Sequence, residues 1–329
     1  MIKKIHLVPL LIALSAIACT KKVNNNEIIK LPNTAPTYEV LYKTNVEKYF
    51  NTFYADIDNA ISLSSTYTDI GIQVSKRVNG ADFKTVYTNR AEASPGKFVM
   101  HNKTGYFEAG DNTNRHIYRT TDGGNTWVKV NDVGWYVVGF ALPDENNVFM
   151  ISKSTVYKSQ DNGLTWNISL AENFQKSPGG IYFVNSNIGF LTFDNGEIMQ
   201  TTNGGQNWKS IKLPTENTIS KLFFVDANKG FAMAVGDAKL YSTINGGTSW
   251  TATPLSIPVN SPNMFFYPDG RGVIVISGQW VYYTRDFGKT TKLFLSVPGG
   301  NSAVNISEIS DTKLILAFGK SIYKLNIDK

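Results

Sequence analysis

Along this chain the apolar residues fall in short runs separated by clusters of Gly, Asn and Asp, and the arrangement repeats. Gly105-Tyr106-Phe107, Asn147-Val148-Phe149, Gly189-Phe190-Leu191, Gly230-Phe231-Ala232 and Gly272-Val273-Ile274 open five such runs, spaced 42, 42, 41 and 42 residues apart. A second apolar couple runs in phase with them: Ile117-Tyr118, Val156-Tyr157, Leu240-Tyr241 and Val281-Tyr282. Several short apolar segments per unit, each closed by turn formers, predict hairpin-linked strands rather than helices. A period of about 40–45 residues with four strands is that of a propeller blade.

After each couple comes a polar box: TTDGGNTW (Thr120 to Trp127), SQDNGLTW (Ser159 to Trp166), TTNGGQNW (Thr201 to Trp208) and TINGGTSW (Thr243 to Trp250). A fifth, TRDFGKTT from Thr284, keeps all but the tryptophan, and the five start 39, 42, 42 and 41 residues apart. Degenerate copies extend the series. KRVNGADF (Lys76 to Phe83) precedes the first box by 44 residues, and Ile322-Tyr323-Lys324 follows Val281-Tyr282-Tyr283 by 41. The count is seven units, the last ending after its third strand. TYEVLYK, Thr37 to Lys43, has strand character and precedes the first complete unit. It is expected to supply the missing fourth strand and so to cover a sheet edge that would otherwise invite association. The expectation is an all-β, seven-bladed propeller over residues 37–329, with six blades as the alternative.

Within a box, the Asp or Asn accepts hydrogen bonds from its own turn, the hydroxyl does the same, and Gly accepts positive φ. The tryptophan opens the fourth strand and packs on the adjoining blade. Asp122, Trp127, Asp161, Trp166, Asn203, Trp208, Asn245, Trp250 and Asp286 are therefore read as structural. Asn203 and Asn245 stand where Asp122 and Asp161 do, and a required charge or proton donor would not be replaced by an amide. One carboxylate per turn also falls short of a calcium loop.

These boxes resemble the BNR or Asp-box repeat, Ser/Thr-x-Asp-x-Gly-x-x-Trp, of sialidase-type, sortilin-type and photosystem II assembly-factor-type propellers. Blade length and the run of Gly-Phe turns are most similar to the last group. The resemblance implies a propeller whose face serves as a binding platform.

The N-terminus changes the picture of where such a domain works. MIKKIHLVPLLIALSAIAC has Lys3 and Lys4 before an apolar stretch too short to span about 30 Å of hydrocarbon, which reads as an export signal over residues 1–18. Ala16-Ile17-Ala18-Cys19 resembles a bacterial lipobox, which implies acylation of Cys19, the only cysteine in the chain. Acyl chains at about 0.8 kcal/mol per buried CH₂ anchor a protein without a transmembrane helix. Residues 19–36 are polar and read as a tether. Thr20 after the anchor, rather than Asp, points to the outer membrane. Loss of Lys3 and Lys4 leaves a net charge near +4, with Lys scattered and Arg scarce, so nucleic acid is not expected as a partner. His101 and His116 are the only histidines beyond the signal, so no metal site or cofactor is expected.

Binding is expected on the face formed by the loops between second and third strands and by the connections between blades. Candidates there are Trp135, Trp280, Arg115, His116, Asp111 and Glu197, with Tyr136, Glu172, Asp194 and Glu216 as further groups on that face. Asp111, Arg115 and His116 are read as part of an extra loop, GDNTNRH, in the second unit. Aromatic and polar groups converging on one mouth suit a peptide or glycan. Sialidase-like hydrolysis would need an arginine clamp, and the chain holds only Arg77, Arg90, Arg115, Arg119, Arg271 and Arg285. The reading is a non-catalytic, monomeric envelope lipoprotein that binds a protein partner, the alternative being a glycan binder or a sialidase-like glycoside hydrolase.

Overall fold

The computed structural model describes residues 36–43, 49–55, 60–65, 71–79, 83–90, 92, 94–111, 114–134, 136–171, 178–257, 259–260, 262–297, 304–318 and 321–328. The export signal, Cys19, nearly all of the tether, Trp135 and Glu172 lie outside the described residues. Residues 34–329 form one compact unit, and its described secondary structure is all β.

The strands assemble into seven four-stranded antiparallel sheets. The first holds β2 (Tyr49–Ala55), β3 (Ala60–Ser65), β4 (Ile72–Arg77) and β5 (Lys84–Asn89), and the second β6 (Ser94–His101), β7 (Thr104–Gly110), β8 (Arg115–Thr120) and β9 (Val128–Val133). The third is β10 (Val137–Ala141), β11 (Val148–Ser152), β12 (Thr155–Ser159) and β13 (Asn167–Ala171). The fourth is β14 (Pro178–Phe183), β15 (Gly189–Phe193), β16 (Glu197–Thr201) and β17 (Lys209–Lys212). The fifth is β18 (Ile219–Phe224), β19 (Gly230–Ala234), β20 (Lys239–Thr243) and β21 (Thr251–Pro254). The sixth is β22 (Asn263–Phe266), β23 (Gly272–Ile276), β24 (Trp280–Thr284) and β25 (Lys292–Ser296). The seventh joins β26 (Val304–Ser310), β27 (Lys313–Phe318) and β28 (Ser321–Asn326) to β1 (Thr37–Lys43). β1 pairs with β28 from Thr37 opposite Asn326 to Lys43 opposite Ser321, so the N-terminal strand completes the last sheet.

Each first strand lies against that of the next sheet, from β2 to β6 onward, and β26 lies against β2. The second strands β7, β11, β15, β19 and β23 are buried at every position. Neighbouring sheets cover both of their faces, which is why these runs lack the alternation of a half-exposed strand. The landmark glycines follow from the same packing. Gly189 and Gly230 stand opposite Phe183 and Phe224 in register, and a Cβ on either would fall within 2.6 Å of that ring. Each of those rings then stacks on the preceding sheet, Phe183 on Phe149 at 4.3 Å and Phe224 on Phe190 at 4.6 Å.

The boxes form the turns from third to fourth strand. Thr120 Oγ1 donates to Asp122 Oδ1 (2.8 Å) and accepts from the Gly124 amide (2.9 Å), while the amides of Asn125 and Thr126 donate to the same Asp122 Oδ1 (2.9 and 3.0 Å). Ser159 with Asp161 and Thr284 with Asp286 repeat this geometry. Asn203 and Asn245 repeat it as amides, accepting from Asn207 and Ser249 at 2.9 and 3.0 Å through one Oδ1. A single side-chain oxygen suffices for the turn, so acid and amide are interchangeable there. Hydrogen bonds from Thr126, Thr120 and Asn125 outweigh burial and draw the Asp122 carboxyl down to about 2.

The box also joins sheets. Trp127 is buried with Ile61, Leu63 and Phe107, and Trp166, Trp208 and Trp250 pack on the clusters that include Tyr106, Phe149 and Phe190 of the sheet before. Trp208 Nε1 donates to Ser169 Oγ in that preceding sheet (3.2 Å). The box glycine adds closeness to conformational freedom: Gly205 has φ +80°, and a Cβ there would sit 2.6 Å from Phe149 Cε1.

Candidate functional site

Among the described residues, a group of interacting ionisable side chains sits where the second sheet meets its neighbours, on the side of the β7–β8 turn. The sequence places Arg115 and His116 in a loop; instead the hairpin continues, and both belong to β8, paired with Gly110 and Ala109. Of the described residues between the two strands, the Asp111 carboxylate accepts the Asn114 amide at 2.6 Å.

Arg115 is not presented at the surface. It is 4% exposed and forms an ion pair with Glu108, which is fully buried in β7. Its guanidinium also donates to the carbonyls of Gly110 (3.3 Å) and Asp111 (3.2 Å). Burial pulls this guanidinium below its usual value, with Tyr136 and Glu92 opposing. Glu108 accepts the Lys97 amide at 3.3 Å, and its carboxylate occupies the space a Cβ on Gly96 would need. Tyr136, in the connection to the third sheet and 54% exposed, lies over Arg115 at 5.3 Å.

On the other face of the same strand, His116 Nδ1 meets Asp132 Oδ1 at 2.5 Å and His116 Nε2 lies 3.7 Å from Glu92 Oε1. Tyr118 Oη donates to Glu92 at 2.5 Å and accepts from Asn89 Nδ2 at 2.9 Å. Burial, then the Glu92 carboxylate, raise the Tyr118 phenol far above its ordinary value. Hydrogen bonds from Lys129 and His116 hold the exposed Asp132 carboxyl low. Two chains of polar groups thus pin both connections leaving the first and second sheets, one through Glu92 and one through Tyr136.

The remaining candidates stand apart from this cluster. Glu197 opens β16 in the fourth sheet and accepts Ser210 Oγ at 3.0 Å. Trp280 opens β24 in the sixth and packs, partly buried, against the cluster of Met233, Leu255 and Met264. Asp194 lends its carbonyl to Thr218, and Glu216 pairs with Lys212 at 2.5 Å. Among the described residues no three His, Cys, Asp or Glu side chains gather as a metal site. Sequence reasoning missed Glu92, Glu108, Tyr118 and Asp132. Glu108 left a readable signal, a carboxylate inside an otherwise apolar second strand, TGYFEAG, which demands a buried cation nearby.

No protein-family model matches the chain. No curated protein matches it either. Solved structures do match. YCF48 bound to a D1 peptide is 12% identical with a TM-score of 0.69, covering 90% of this chain and 100% of that one. A virginiamycin B lyase from Staphylococcus aureus is 12% identical with a TM-score of 0.66, covering 89% and 100%. A GH74 xyloglucanase from Xanthomonas campestris is 11% identical with a TM-score of 0.64; 88% of this chain covers 53% of that one. At such identities the likeness establishes a β-propeller and does not carry an activity.

Proposed function

We propose that the chain is a non-catalytic lipoprotein, anchored through Cys19 to the outer membrane by a tether over residues 19–36, whose Asp-box propeller binds a protein segment. The contact surface is the face around Tyr136 and the β7–β8 turn, and Trp135, outside the described residues, is its neighbour in sequence. The observation that carries this reading is the exposed Tyr136 ring lying over Arg115, which is itself buried and paired with Glu108. An aromatic platform held by a rigid polar base offers contact area at little entropic cost, the property that makes Tyr and Trp common anchors at protein interfaces. The carboxylates of this region are already engaged within the fold: Glu108 beneath the platform by Arg115, and, on the other face of β8, Glu92 by Tyr118 and Asp132 by Lys129 and His116. That is the arrangement of a scaffold rather than of a free acid and nucleophile. The fold shared with YCF48 bound to a D1 peptide supports the same reading.

The test is envelope cross-linking followed by pull-down with the tethered wild type, the double variant Tyr136→Ser/Trp135→Ser, and Cys19→Ala. Partners captured by the wild type are expected to be lost with the double variant, and fatty-acid labelling to be lost with Cys19→Ala. Unchanged partners would remove this face. Release of sugar from envelope glycans by the purified protein would favour the hydrolase instead.

A further inference from the structure

The first strands surround a common axis, and their charges are few. β2, β6, β10, β14, β18, β22 and β26 carry Lys97, Lys221 and Glu308 and no other Asp, Glu, Lys or Arg. Lys97 and Lys221 lie in the halves of their strands nearer the inter-blade connections. Glu308 lies near the opposite end, beside Asp311, where burial and then that neighbour raise its carboxyl.

Between β14 and β18 there is a recess of about 160 Å³, lined by Gly179, Gly180, Thr192, Ile219, Ser220 and Lys221. Two irregularities flank it. The pairing of β14 with β15 shifts between Pro178 and Gly180, and that of β18 with β19 shifts between Ile219 and Lys221. Gly179 and Ser220 are thus left out of their ladders. A bulge of this kind frees backbone polar groups and is common next to sites. Among the described residues Lys221 has no hydrogen-bonding or ionic partner, and burial with no opposing charge lowers its ammonium to about 8. An uncompensated cation in a partly dry recess gains most from an anion that brings its own charge and acceptors.

We propose that this axial recess is a carboxylate-binding site in which Lys221 Nζ holds the anion and the bulged backbone at Gly179 and Ser220 faces it. A volume of 160 Å³ corresponds to roughly five waters at about 30 Å³ each, room for a carboxylate and the group that bears it but not for a folded segment. The carboxylate belongs to a peptide C-terminus or to an acidic sugar. This site is separate from the Tyr136 face and stands or falls without it.

The experiment is a ¹³C NMR titration of the full-length protein labelled at lysine Cε, with N-acetyl-dialanine, its C-terminal amide, glucuronate and inorganic phosphate as probes. A lysine signal titrating near pH 8 is expected to shift saturably with the free carboxylate and to stay still with the amide. K221M should remove that signal and weaken binding by roughly tenfold or more, the size expected for losing one charge-assisted hydrogen bond. A tighter response to dialanine than to glucuronate would assign the peptide source, and the reverse the sugar. Equal response to acid and amide, preference for phosphate, or no saturable shift in the wild-type signal would each overturn the proposal. The wild-type titration decides the matter by itself should K221M fail to fold.

Discussion

The box turns permit a quantitative test of what their aspartates do. Asp122 accepts four hydrogen bonds, from Thr120 Oγ1, the amides of Asn125 and Thr126, and Thr126 Oγ1. At about 0.5–1.5 kcal/mol net apiece these would sum to several kcal/mol. Asn125 and Thr126 are exposed, however, so water replaces much of the loss, and Asp122→Ala should cost about 1–2 kcal/mol, as helix-capping losses do. Asp122→Asn keeps the Oδ1 bonds, as Asn203 and Asn245 do naturally, and loses only the charge and the Thr126 Oγ1 bond to Oδ2, so it should cost clearly less than Asp122→Ala at pH 7. The pH dependence separates charge from geometry. Because the folded carboxyl is lowered to about 2 from 3.8, its contribution is fully present above the unfolded value and is lost as pH falls through the folded one. The wild type should therefore lose stability between pH 4 and 2 more steeply than Asp122→Asn. Urea unfolding followed by tryptophan fluorescence at pH 7, 4 and 2.5 measures all three chains. An Asp122→Asn chain as weak as Asp122→Ala at pH 7 would refute the claim that one neutral oxygen satisfies the turn.

Gly205→Ala should cost about 2–4 kcal/mol, combining the left-handed backbone with a clash into Phe149. Gly236→Ala, at the same φ of +80° but with nothing within 4 Å of the new Cβ, should cost only about 1–2 kcal/mol, and equal thermal shifts would show that close packing plays no part. Arg115→Met should destabilise by about 3–5 kcal/mol by leaving Glu108 charged and buried, and the double variant Glu108→Leu/Arg115→Met should recover most of that; a double variant no better than the single one, by denaturant midpoint, counts against the pair. A chain lacking residues up to Lys43 exposes the edge of β28 and should associate with rising concentration in sedimentation, whereas a monomer of unchanged stability would mean that β1 is dispensable.

The period and the in-phase landmarks make the sheets countable from the sequence, because a blade is a local unit whose turns are written in residues with special backbone needs. The hydrogen bonds that the box hydroxyl and the box Asp or Asn make within their turn are likewise local: donor and acceptor lie within four residues of each other, so composition and spacing suffice to assign them. The extra length of the second unit was visible in the sequence, but its use was not. A sequence of polar residues, GDNTNRH, reads as loop, and only the fully buried Glu108 across the hairpin draws Arg115 into the strand. Composition alone suggested an open basic group where the structure holds a buried ion pair.

What the chain determined by itself is thus the repeated sheet, its turns and the strand that completes the last sheet, since the first two rest on contacts close in sequence and the third on a period that can be counted even though β1 and β28 lie at opposite ends of the chain. The tertiary structure decided the rest. Glu92, Tyr118, His116 and Asp132 meet, Gly205 lies under Phe149, and a lone Lys221 borders the axial recess, because these neighbours come from different strands or sheets and their meeting depends on how the sheets pack. Charge and hydrogen-bonding demand are properties of a residue, but the partner that meets them is a property of the packing.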